Sequence, residues 1–185
     1  HLDENREARE QIAYGDVVLL NKTDLATTEE LDLLEKQVRG LNVLAKIYRT
    51  KDAAIPLDKI LDVGAFDLSR RLEVSPDLMT ADQHHHHSDI HSVSLMEAGP
   101  LDGRKLNGWL GGLLKTRGTD IFRMKGIVEV QGETRRVVFQ GVHMMFDGRP
   151  DRPWQAKEDR TNILVFIGRN LPEQELRDGL RSCRA

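Results

Sequence analysis

One cysteine in 185 residues, Cys183, leaves no partner for an internal disulfide. The chain must hold itself together by packing alone, as proteins of reducing compartments do. Aromatic residues are scarce as well, at 5%. With so few rings to stack on bases, no nucleic-acid partner is expected. No apolar run approaches the roughly 20 residues that cross a bilayer. The opening residues His1 to Arg6 carry neither the basic flank nor the apolar stretch of a secretion signal. A membrane partner is therefore not expected, and the cytoplasm is the expected location. Also missing is any G-x-x-x-x-G-K-[ST] phosphate loop. The nearest imitation, Gly108 to Thr116, has Leu114 where the second glycine belongs, and its leucines and tryptophan recur at helical spacing. These residues read as a packed helix, and the chain by itself is not expected to hydrolyse a nucleotide.

What is present is an ordinary globular mixture, 39% hydrophobic and 31% charged. Its charge is unevenly spread. Residues 1–65 carry 9 Lys and Arg against 13 Asp and Glu, whereas residues 98–185 carry 16 against 11. An acidic first part and a basic last part point to two units.

The first unit alternates helix and strand. Glu4 to Tyr14 reads as a helix ended by Gly15, and Val17 to Leu20 is an uninterrupted apolar run suited to a buried parallel strand. Thr27 or Thr28 caps a helix whose first turn holds Glu29 and Glu30 and whose apolar face is Leu31, Leu34, Val38 and Leu41. Ala45 to Arg49 is a second strand, and Ile55 to Val63, opened by Pro56, is expected to be a helix. This β-α-β-α order predicts part of a doubly wound α/β unit over residues 1–63. Residues 64–89 read as a histidine-rich linker. Residues 90–185 follow as an α+β domain of order β-α-β-β-β-α, a mostly antiparallel sheet with helices packed on it. Its strands are expected near Ser92 to Leu95, Ile121 to Val130, Arg135 to Phe146 and Ile163 to Ile167, with a hairpin at Gln131-Gly132-Glu133. Its helices run from Leu101 to Leu114, stopped by Gly118, and onward from Pro172.

The sharpest chemical signal is Asn21-Lys22-Thr23-Asp24, at the carboxyl end of the first strand, where α/β sheets bind ligands. An Asp24 carboxylate can accept both the N1 and N2 protons of guanine, a pair that adenine does not offer. The Asn21 side chain can reach N7 and hold the turn, and the Lys22 stem can lie along the base. A polar turn is the competing reading of these four residues. Thr50 and Lys51, just after the second strand, form a weaker companion for a loop backing the base.

The second signal is a histidine cluster. His84, His85, His86, His87 and His91 fall within eight residues, flanked by Asp82 and Asp89. Neutral imidazoles ligate zinc, cobalt, nickel and copper. Nothing in the spacing fixes a tetrahedron, so the segment reads as exchangeable capture, with a solvated linker as the bland alternative. Arg123-x-Lys125 and Glu158-Asp159-Arg160 read as solvated charge, with ion pairs or a docking face as alternatives. His143 reads as a strand residue, Cys183 as inert, and Trp109 and Trp154 as core or interface anchors. No catalytic residue is assigned.

Taken together, these residues resemble the CobW-type GTPases of the P-loop metallochaperone group. The likeness runs from Gln11 to Leu25 through the guanine motif and resumes after the linker at Ser92 to Leu95. It continues through Arg123 to Gly126, Gln140 to His143 and Phe166 to Arg169. The resemblance implies a GTP-dependent metallochaperone in which GTP, with Mg2+ in the full-length protein, gates delivery of Zn2+ or Co2+ to a client metalloprotein. Asn21, Lys22 and Asp24 would confer guanine specificity and the histidines an accessory metal site. The carboxyl-terminal domain would recognise the client or control formation of a homo-oligomer. The family carries its phosphate loop, magnesium-binding acid and CxCC metal motif ahead of the guanine motif, so a gene product longer at the amino terminus is expected. A non-enzymatic client-docking module and a simple metal buffer are the alternatives.

Overall fold

Val17–Leu20 forms strand β1, and its four apolar residues lie beside Lys46–Arg49, strand β2, in parallel register from Val17 opposite Lys46 to Leu20 opposite Arg49. The computed structural model describes residues 6–61 and 89–185. Helix α1, Arg6–Tyr14, precedes β1, and helix α2, Thr28–Leu41, joins the two strands. Thr27 caps α2 as the sequence predicts. Its side chain accepts from the Glu30 N–H at 3.3 Å, and the Glu30 carboxylate accepts from the Thr27 N–H at 2.8 Å, a reciprocal box that satisfies two orphan donors. The helix expected over Ile55 to Val63 is not formed among the described residues, where a single 3-10 turn spans Leu57–Lys59. Pro56 sits at φ −57° and ψ 134°, an extended conformation that does not open a helix, so the turn begins only at Leu57. Val63 lies outside the described residues, as do His84 to His87.

The second unit supplies strands β3 (Ile90–Glu97), β4 (Ile121–Val128), β5 (Arg135–Val142), β6 (Met145–Pro153) and β7 (Asn162–Arg169), with helices α3 (Gly103–Arg117) and α4 (Glu173–Ser182). The strands form one antiparallel sheet in the order β3-β7-β4-β5-β6. Sequence reading gives four of them and misses β6. That strand, with Pro150, Pro153 and mostly polar neighbours, is an edge strand, a position in a sheet that tolerates proline. The predicted hairpin turn is present, with Gly132 at φ 84°, a conformation costly for any residue with a Cβ. His143 lies in the β5–β6 turn at φ 54° and is exposed, so it is a turn residue and not the strand residue expected.

Alternation along the strands splits the core between the two faces of this sheet. On one face α3 and α4 bring Leu106, Leu110, Leu113, Leu176 and Leu180 against Leu95, Met124, Phe139, Leu164 and Phe166. Trp109 packs edge-on to Phe166 at 6.2 Å between centroids, anchoring the core as expected. On the other face Ala13, Leu41 and Leu44 of the first unit meet Ile90, Phe122, Ile127, Val165 and Ile167, with Trp154 packed alongside. The sheet is thus the middle layer, and the first unit docks on it. Within α3, a methyl group at Gly112 would enter open space. We expect Gly112→Ala to raise stability by about 0.5–1 kcal/mol through helix propensity, read as a higher midpoint of thermal unfolding.

The docked face also carries charge. Arg123, 5% exposed in its side chain, donates to the Tyr14 carbonyl at 2.7 Å and pairs with the Asp16 carboxylate, which Lys125 also reaches at 3.1 Å. Across the same junction Arg9 pairs with Asp89, and Ser92 Oγ donates to the Leu41 carbonyl at 3.0 Å. Arg123 and Lys125 are therefore buried ion-pair residues, not the solvated charge that their sequence suggests. Glu158 is likewise held, by Arg152 at 2.6 Å and Arg136 at 3.4 Å. For Arg123 and Lys125 the cause is docking, since the first unit's backbone lies over β4 and encloses charges that the isolated sheet would leave wet; the Glu158 pairs form within the second unit.

Burial works against ionisation of Asp16, but Lys125 and Arg123 outweigh it and hold the carboxyl below its ordinary 3.8. A carboxyl depressed on folding lends stability above its unfolded pKa and loses it as pH falls through the folded value. The stability gap between the native chain and Asp16→Asn should accordingly be full at neutral pH and close as pH falls below 3.8. Urea midpoints of both proteins between about pH 7 and about pH 3 test this; a pH-independent gap would contradict it.

Candidate functional site

Because β1 and β2 are parallel and in register, the loops that follow them leave the same end of the sheet side by side. Thr50 continues the ladder, its N–H donating to the Leu20 carbonyl at 2.9 Å. Asn21 then ties the two loops together. Its Oδ1 accepts from the Thr50 hydroxyl at 3.2 Å and from the Ala53 N–H at 2.9 Å. Thr23 repeats the tie from the other side, its N–H and hydroxyl both donating to the Thr50 carbonyl at 3.2 and 3.1 Å. Thr50 is 5% exposed at the centre of this knot.

Lys22 turns the chain through the left-handed region at φ 63° and leads into a 3-10 turn over Thr23–Leu25. Asp52 and Ala53, in the partner loop, also have positive φ, at 51° and 54°. Such backbone persists only where the surroundings over-determine it, and the Asn21 and Thr23 bonds do so here. Asp24 is 39% exposed in its side chain, and its carboxylate lies 3.5 Å from the Lys51 Nζ. Four of the five residues singled out in sequence therefore face or touch one another across the two loops. Asn21 and Thr50 form the rigid base, while Asp24 and Lys51 form an accessible charged rim. The sequence reading names Thr23 within the motif without giving it a role, and it misses Ala53. The hydroxyl at Thr23 is the one signal for the former, and nothing in sequence marks the latter.

Chemically, an accessible carboxylate on a fixed turn can accept two N–H donors lying in one plane. The tie between loops removes the freedom that such a base-edge contact would otherwise have to freeze.

The description "CobW/HypB/UreG, nucleotide-binding domain" matches residues 1–49, the segment carrying β1 and Asn21 to Asp24. "Cobalamin synthesis protein cobW C-terminal domain" matches residues 90–184, more than half of the chain. The chain belongs to the CobW family. Among CobW relatives, the zinc chaperone YjiA of Escherichia coli strain K12 is 30% identical over 179 residues, covering 96% of this chain and 54% of its own length. The zinc chaperone CobW of Pseudomonas aeruginosa is 30% identical over 195 residues, covering 95% of this chain and 47% of its own. The crystal structure of Zn(II)-bound YjiA GTPase from E. coli superposes with a TM-score of 0.81 at 28% identity, over 100% of this chain and 57% of that one. The chain spans about half the length of the curated relatives it matches.

The CobW resemblance read from the motif order, and the α/β unit followed by an α+β domain, are thus borne out. The metal candidates fare differently. His91 lies on β3 opposite Gly168, and the flanking Asp89 is engaged by Arg9. Among the described residues no group of three or more His, Cys, Asp and Glu side chains converges to hold a metal ion. Cys183 is buried, its Sγ 3.2 Å from the Gly179 carbonyl, and burial raises its thiol pKa. That is the environment of an inert cysteine. Among the described residues no helix is long and apolar enough to cross a membrane.

Proposed function

We propose that this CobW-family chain contributes the guanine-recognition end and the carboxyl-terminal domain of a GTP-dependent metallochaperone that delivers zinc to a client metalloprotein. The observation that carries the reading is the pair of tied loops, Asn21 to Asp24 and Thr50 to Ala53, at the ends of two parallel strands. Asp24 would take the N1 and N2 protons of guanine, Asn21 would hold the turn, and the stems of Lys22 and Lys51 would flank the base. The phosphates, with Mg2+, would be bound by residues of the full-length protein outside this chain, since no phosphate loop occurs in it. Zinc is favoured over cobalt because the relatives named above are zinc chaperones. His84 to His87 and His91 would serve as an accessory capture segment, feeding cargo at a step that GTP gates. Cytoplasmic residence and a homo-oligomer belong to this proposal as well.

The test is turnover and metal content of the full-length protein. GTP should be hydrolysed in preference to ATP by at least about 100-fold. Replacing His84 to His87 and His91 by alanine should lower the zinc bound per chain without changing GTP turnover. Equal use of both nucleotides, or none of either, would overturn the GTPase reading in favour of a docking or buffering module.

A further inference from the structure

All five strands of the antiparallel sheet fall within the carboxyl-terminal domain matched over residues 90–184, so β3 and β6 are the edges of that domain's own sheet. An edge strand offers unpaired backbone groups to any other strand, and proteins blunt it with proline and charge. β6 is blunted in both ways, by Pro150 and Pro153 and by Asp147, Arg149, Asp151 and Arg152. β3 is not. Ile90–Glu97 holds no proline, no lysine or arginine, and a single carboxylate, Glu97.

The ladder shows which β3 groups face outward. Just ahead of β3, the Asp89 carbonyl accepts the Asn170 N–H at 2.7 Å, in the register that pairs Ile90 with Arg169. Backbone groups alternate between the two sides of a strand. His91, Val93, Leu95 and Glu97 therefore bond to β7, while Ser92, Ser94 and Met96 point away from it. Among the described residues the outward N–H and C=O groups of these three make no hydrogen bond. Ser92 and Ser94 are half-buried and Met96 is 44% exposed, so small or unbranched side chains flank the open edge.

The strand also complements itself. Two antiparallel copies centred on Ser94 set Ser94 opposite the partner's Ser94, Ser92 opposite the partner's Met96, and Val93 opposite the partner's Leu95. His91 then falls opposite the partner's Glu97, with no like charges face to face. Glu97 keeps Arg181 and Arg184 of its own copy, so the carboxylate brings no unpaired charge to the junction.

We infer that β3 is where two copies of this chain join, edge to edge and antiparallel, continuing the sheet across a two-fold axis. The inference gives the homo-oligomer proposed above its interface and rests on that part of the reading alone.

Sedimentation of the full-length protein between about 1 and about 100 µM should show a monomer–dimer equilibrium. Ser94→Pro removes one outward N–H, leaves the β7 ladder intact, and should weaken the dimer at least about tenfold. Ser94→Lys and Ser94→Glu each set like charges opposite one another and should weaken it by a similar factor. Mixing those two variants should restore a dimer holding one copy of each. Circular dichroism checks folding, and if Ser94→Pro fails to fold the charge pair carries the test. A dimer that no Ser94 substitution moves leaves the homo-oligomer standing and overturns the β3 interface. Weakening by both charges without recovery on mixing shows that Ser94 does not face itself, and overturns it too. A monomer at every concentration, as expected if the edge takes an extended segment of another protein, overturns both.

Discussion

Replacing Asn42 by leucine will destabilise the chain by about 3 kcal/mol, and aspartate will do at least as much damage. Asn42 closes α2 and is 0% exposed. Its Nδ2 donates to the carbonyls of Ile12 at 2.8 Å, Ala13 at 3.2 Å and Gly15 at 2.8 Å, and its Oδ1 accepts the Leu44 N–H at 3.0 Å. With Arg123 on Tyr14 and the Lys46 N–H on Asp16, every carbonyl from Ile12 to Asp16 has a donor. The carbonyls of Ile12 to Tyr14 are orphan acceptors at the end of α1; the bond to Ala13 is buried and those to Ile12 and Gly15 are half-buried. Leucine fills the volume but leaves the Ala13 and Gly15 carbonyls bare. Aspartate has nearly the same shape but places an oxygen where a donor is required, so at neutral pH it adds repulsion to the loss. Denaturant midpoints should rank native above Asn42→Leu, with Asn42→Asp at or below it. A cost under about 1 kcal/mol for both would show that the carbonyls find other donors.

The residues that were legible in sequence are those whose partners lie close along the chain. The capping box joins Thr27 to Glu30, the Gly132 turn joins adjacent strands, and the Asn21 to Asp24 turn follows its strand directly. Periodicity and turn chemistry encode such features locally. The loop tie was half legible. Thr50 and Lys51 were marked by position after β2, but the bond from Asn21 to Ala53 depends on two loops meeting across a parallel pair. In sequence Arg123 reads as wet because a charged side chain is solvated by default, and its alternation with Phe122 and Met124 suits a strand with one wet face. Its burial comes from residues about a hundred positions away, through Tyr14 and Asp16. Asn42 gave no signal at all, because an asparagine after a helix is as often a solvated cap as a buried one. Strand β6 failed for the opposite reason. Its prolines speak against a strand in general, and only its place at the sheet edge makes them acceptable. For Arg123 the missing information was the docking of one unit on the other, and for Asn42 it was the meeting of α2 with the end of α1 about thirty residues earlier.

The same docking leaves Asp24 outside, which makes its substitution a clean probe of chemistry. Asp24→Asn in the full-length protein should weaken GTP binding by about 100- to 1000-fold, the loss expected when a charge-assisted pair to a ligand is broken. Stability should change by no more than about 0.5 kcal/mol, since the carboxylate is 39% exposed and lies 3.5 Å from a still more accessible Lys51. Asparagine cannot accept two protons from guanine, because one of its two terminal atoms is itself a donor. The same amide suits a base with a carbonyl at C2 beside a protonated N1, accepting from N1–H and donating to the C2 oxygen. Xanthosine triphosphate has that edge. The variant should therefore bind xanthosine triphosphate better than GTP, reversing the native order, while ATP stays excluded by both proteins. Equal weakening toward all three nucleotides would mean that Asp24 acts through charge alone and not by reading the base. An exchange of preference identifies the atom pair, because no loosening of the loop can improve binding to one purine while spoiling it for another that differs only at C2.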